Sequence, residues 1–131
     1  MLVVDTSALL QALIGADPAV LERLAGDGDL HAPHLLDVEV LDALRRLVRS
    51  GQLGEDRAND ALADLRDLAI MRYPHEPLME RMWELRHDLS AHEAAFVALA
   101  EGLGMLLVTC DARLAAAPGV GATVEVLGTA G

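Results

Sequence analysis

Two apolar runs far apart in the chain end alike: Leu2-Val3-Val4 stops at Asp5, and Met105-Leu106-Leu107-Val108-Thr109 runs through Cys110 to Asp111. Short, unbroken apolar runs read as strands buried on both faces. Leu30-His31-Ala32, Ala69 to Arg72 and Thr123 to Leu127 read as further strands. Helical patterns separate them. Thr6-Ser7 opens a helix to about Ile14, and Asp17-Pro18 caps a second that ends near Leu24 or Ala25. Leu36, Val40, Leu44 and Leu47 recur at threes and fours along a helix from about Leu35 to Arg49. Glu55 to Leu68 and Glu76 to about Arg86 are also helical. Ser90-Ala91-His92-Glu93 has the spacing of a capping box, and the helix it opens is apolar nearly all round to Glu101. This alternation predicts an α/β fold with a mostly parallel sheet covered on both faces. At 131 residues, one domain over 1–131 is expected.

Composition removes several alternatives. No apolar run approaches the ~20 residues of a membrane span. The N-terminus lacks the basic start of a signal peptide, and Asp5 interrupts its apolar stretch, so a cytoplasmic location is expected. The lone Cys110 rules out an internal disulfide framework. Net charge is −11, and all ten basic residues are Arg. That balance is poor for non-specific nucleic-acid binding and suits a basic protein partner. Tyr73, Trp83 and Phe96 are the only aromatic residues, too few for a base-stacking surface.

The chemistry lies in the acids. Ligands in open parallel sheets bind beyond the carboxyl ends of the strands, where Asp5 and Asp111 fall. Either could instead be a plain N-cap. Glu39 lies on the apolar side of its helix, where an acid is costly unless paired or bound to metal. Its alternatives are a salt bridge toward Arg46 or solvent at the helix end. Glu93 opens the buried helix, and the capping box with Ser90 explains it without any chemistry. Four converging carboxylates repel one another, and a divalent cation resolves the conflict. All-carboxylate ligation suits Mg²⁺ or Mn²⁺, which can activate water for attack on a phosphodiester.

These segments resemble the PIN-domain family, especially the VapC-type ribonuclease toxins of toxin–antitoxin pairs. Val3-Val4-Asp5-Thr6-Ser7-Ala8-Leu9 resembles the family's opening, and Glu39 within Asp37 to Leu44 its second acid. Ala94 to Ala100 is similar to the helix after its third acid, and Leu107 to Leu114 to the segment holding its fourth. The resemblance implies a three-layer α/β/α sandwich and an Mg²⁺- or Mn²⁺-dependent endoribonuclease. It also implies a homodimer and a small antitoxin. By it, Asp5, Glu39, Glu93 and Asp111 are catalytic metal ligands, with Ser7 and Thr109 as supporting hydroxyls. One position departs from the pattern: the third acid is usually Asp, and Glu93 moves the carboxylate by about 1.5 Å.

The remaining polar residues carry less. His31, His34, His75, His87 and His92 form no metal-like pair and read as surface or packing residues, His92 being placed for substrate contact. Arg45, Arg46 and Arg49 form a solvated face or contact phosphate. Cys110 reads as a small buried apolar group, and Trp83 as core or interface. A receiver-like phosphoryl-transfer domain is disfavoured by the lack of a second nearby acid and of any Lys. A silent PIN-like module that binds a basic partner is the other alternative.

Overall fold

The computed structural model describes residues 1–128; the last three residues of the expected domain, 129–131, lie outside them. The strands are β1 (Leu2–Val4), β2 (Leu30–Pro33), β3 (Ile70–Tyr73), β4 (Leu106–Thr109) and β5 (Val124–Val126). All neighbours pair in parallel, in the order β3-β2-β1-β4-β5. The helices are α1 (Thr6–Ile14), α2 (Pro18–Asp27), α3 (Leu35–Arg49), α4 (Glu55–Asp67), α5 (Met79–Glu84), α6 (Ala91–Leu103) and α7 (Ala112–Ala116).

The sheet grows one way from β1 through β2 and β3, and the other way through β4 and β5. Right-handed crossovers then put α1 to α4 on one face and α5 to α7 on the other. Contacts agree: α1 packs on α2, α3 and α4, whereas α5 packs on α6. The result is the expected α/β/α sandwich, with its sheet parallel throughout. Central β1 is fully buried, as is most of α6 from Ala94 to Ala100. Gly28 and Gly104 end α2 and α6 at φ 69° and 65°, a left-handed turn that glycine adopts at little cost.

Several expected boundaries move. Strands β4 and β5 each lose their first expected residue, and β5 also ends one residue early. β3 starts one residue late and extends to Tyr73, because Pro33 of β2 pairs with it. The helix expected from Glu76 is broken. Pro77, which has no N–H to donate, sits in a 3₁₀ turn over Glu76–Leu78, and α5 is only Met79–Glu84. Helix α7 is an addition: five residues show no readable period, but Asp111 caps them.

Candidate active site

Adjacent strands β1 and β4 carry connections that leave in opposite directions, so a crevice opens at their carboxyl ends. Register fills it. Val4 pairs with Val108, and the Asp5 amide donates to the Val108 carbonyl at 3.0 Å. Thr109 therefore lies beside Asp5, and its hydroxyl donates to Asp5 Oδ2. Asp5 Oδ1 accepts from Ser7 Oγ at 2.8 Å and from the Ala8 amide at 2.9 Å. Ser7 Oγ also lies 3.2 Å from Thr109 Oγ1 and accepts from the Cys110 amide. Every group holding the Asp5 carboxylate is thus neutral. Burial pushes its pKa up, and the Asp111 charge adds to this, while the three hydrogen bonds act in the opposite sense.

Glu39 reaches the same crevice from the second turn of α3, on the side of buried Leu36, Val40 and Ala43. Its Oε1 accepts from Thr6 Oγ1 at 2.7 Å, and no cation pairs with it among the described residues. The expected alternative, a bridge toward Arg46, is not formed; Arg46 approaches Asp42 instead, at 3.7 Å. Glu93 keeps its capping box: Oε1 accepts from the Ser90 amide at 2.9 Å, and the Glu93 amide donates to Ser90 Oγ. Its other oxygen lies 3.3 Å from Arg113 Nη2. Asp111 caps α7, and Arg113 Nη2 donates to its Oδ2 at 2.7 Å. Arg113 is the main reason the Asp111 carboxyl is held below the usual carboxylate range.

Asp5, Glu39, Glu93 and Asp111 all line one cleft of about 400 Å³, together with Thr6, Ser7, His92, Arg46 and Arg113. The acids are not drawn into a tight cluster: no three His, Cys, Asp or Glu are close enough to grip an ion among the described residues. Each carboxylate already has a partner of its own. The caps foreseen for Asp5, Glu93 and Asp111 and the shared cleft therefore coexist.

Two residues of the cleft escaped sequence reading. Thr6 looks like an ordinary helix start, and Arg113 like a surface residue. Both matter only once α1 meets α3 and α7 meets α6. Among the three arginines of α3, only Arg46 lines the cleft, because Arg45 and Arg49 face the groove toward α4. His92 is exposed at the rim, whereas His31 is buried between the Tyr73 hydroxyl at 2.7 Å and Asp29 at 2.9 Å. His34, His75 and His87 are exposed. Cys110 is partly buried, and burial pushes its thiol up, away from a nucleophilic thiolate. Trp83 is not in the core: it is 68% exposed, with Arg86 stacked 4.5 Å from its ring centre.

A family model described as PIN domain matches residues 2–120. The chain belongs to the PIN-domain family. This PIN domain is 45% identical to Ribonuclease VapC1 of Mycobacterium tuberculosis over 128 residues, 95% of this chain and 96% of that protein. It is 47% identical to Ribonuclease VapC9 of the same organism over 114 residues, 87% of this chain and 88% of that protein. Its fold is similar to a chain of VapBC2 from Rickettsia felis, solved bound to a promoter DNA fragment, with TM-score 0.70 and 12% identity over 95% of this chain and 96% of that one. The expected VapC-type membership is thereby established. No helix among the described residues is long and apolar enough to cross a membrane.

Proposed function

We propose that this PIN domain is an Mg²⁺- or Mn²⁺-dependent endoribonuclease of the VapC toxin type, acting in the cytoplasm, with residues 1–131 forming one domain. One observation carries the proposal: four carboxylates from separate segments face one cleft, and the most buried of them, Asp5, has no cationic partner among the described residues. Names of relatives that are ribonucleases support the substrate class.

The donor set fits a hard divalent cation. It offers carboxylate and hydroxyl oxygens, and its raised Asp5 is an acid whose charge lacks compensation. Asp5, Glu39, Glu93 and Asp111 would hold the ion, which would supply the positive charge that activates water and stabilises the phosphoryl group. The chain's own part is orientation. Thr109, Ser7 and the Ala8 amide fix both oxygens of Asp5. Thr6 fixes one oxygen of Glu39 and leaves the other free. Arg46 and His92 at the rim are placed to bind RNA phosphate. Water attacking phosphorus, with the 3′ oxygen leaving, gives a 5′-phosphate and a 3′-hydroxyl.

The proposed partners are RNA, a second copy and a small antitoxin with a basic segment. An apolar groove of about 520 Å³ between α1, α2 and α4, rimmed by Asp64 and Asp67, suits an apolar helix with basic flanks. Exposed Val38 and Leu41 on α3, and Met79 and Trp83 on α5, support a homodimer.

The test is cleavage of a mixed RNA pool by partner-free protein with Mg²⁺, Mn²⁺ or chelator, beside D5N. Metal-dependent cutting that D5N abolishes is expected. If no RNA is cut and no metal binds, the chain is a silent module.

A further inference from the structure

We propose that Arg113 is a resident counter-cation of the acid pair Asp111–Glu93, and that its pairing with Asp111 and the binding of a divalent cation exclude one another. This rests on the metal-site reading above.

The geometry is specific. Arg113 Nε lies 3.1 and 3.2 Å from the two Asp111 oxygens, and Nη2 lies 2.7 Å from Oδ2. The same Nη2 reaches Glu93 Oε2 at 3.3 Å, the one Glu93 oxygen not committed to the helix cap. One guanidinium thus covers the acids from two of the four segments. An arginine so placed competes with a cation for these oxygens: it occupies lone pairs on both Asp111 oxygens and sets a full positive charge beside the ion.

Exposure makes the contact displaceable. The Arg113 side chain is 79% exposed, so only the ion pairs hold it. Other arginine pairs in the fold are better enclosed. Arg72 on Asp37 and Arg23 on Glu125 have arginines only 29% and 33% exposed. Those pairs tie elements together far in sequence, and neither lines the cleft. Arg113 makes its shortest contacts to an acid two residues away, and its reach to Glu93 in α6 is the longest of its contacts, at 3.3 Å.

Glu93 in place of the usual Asp then acquires a role. Its extra length lets one oxygen cap Ser90 while the other extends to Arg113. Metal binding must dislodge Arg113 from both acids, so the arginine raises the cation concentration at which the site fills. The freed guanidinium stays at the cleft rim.

The test is Mn²⁺ titration of wild type, R113Q and R113K by calorimetry, with Mg²⁺ titration followed in the arginine Nε–H region of the NMR spectrum. R113Q should bind Mn²⁺ about fivefold to tenfold more tightly than wild type, and R113K should fall between them. The Arg113 Nε–H signal, assigned by its loss in R113Q, should shift as Mg²⁺ fills the site. Equal Mn²⁺ affinity in wild type and R113Q, or an Arg113 signal unmoved at saturating Mg²⁺, overturns the exclusion and leaves the metal site standing. No Mn²⁺ binding by any of the three overturns both. Melting temperatures within about 2 °C of wild type would show that R113Q leaves the fold intact, as expected for an exposed side chain.

Discussion

Glu101 and Asp5 are both acids set into the body of the fold, and the chain treats them in opposite ways. Glu101 closes α6, where the helix dipole disfavours a negative charge, and Arg81 grips both its oxygens at 2.7 and 3.0 Å. The Gly121 amide adds a third bond at 2.6 Å. Arg81 is the chief cause of a lowered Glu101 pKa. Asp5 is 6% exposed and receives only hydroxyls and an amide, and its pKa is raised. One carboxylate has its charge answered within the chain, and the other does not. The first is what a structural acid looks like, and the second an acid held ready for an outside cation.

The largest effect should come from Asp5. D5N should lower RNA cleavage by about 10²- to 10³-fold while leaving the melting temperature at pH 7 in chelator at or above the wild-type value. A D5N protein that melts well below wild type would make Asp5 a structural acid after all and collapse the contrast. Thr6 comes next. T6V removes the hydrogen bond by which Thr6 orients Glu39 and should weaken Mn²⁺ binding about tenfold in a calorimetric titration. E101Q should do the reverse. It should cost about 1–2 kcal/mol in urea denaturation and leave cleavage unchanged.

The sequence made the backbone of this contrast readable. Asp5 and Asp111 follow apolar runs directly, and Glu39 breaks an apolar helix face, so pattern alone singles them out. Glu93 was legible as a cap, and it is one. What decides the charge of each acid was not legible. Arg81 meets Glu101 twenty residues away because α5 folds back on α6, and Arg113 reaches Glu93 over the same separation through α7. Thr6 meets Glu39 only because α1 packs on α3. These are side-chain crossings between elements, and periodicity within an element says nothing about them. Pro77 was visible, yet the helix was expected to run through it; Glu76–Leu78 instead form a 3₁₀ turn ahead of α5.

The smallest effect is also the sharpest test, because the two acids should respond to pH with opposite sign. Asp5 has a folded pKa above its unfolded value of about 3.9. Between those two values the native state holds a proton that the unfolded chain has released, so raising the pH through this window lowers stability. Glu101 has a folded pKa below its unfolded value of about 4.3. There the unfolded chain holds the extra proton, and stability rises with pH until the unfolded value is passed. Urea denaturation of wild type, D5N and E101Q in chelator between about pH 3 and 7 separates the two terms. The stability of wild type relative to E101Q should grow from the acid end and level off above about pH 5. Relative to D5N it should fall as pH rises from about 4. Parallel curves would mean that both carboxylates are compensated within the chain, and Asp5 would then need no cation from outside.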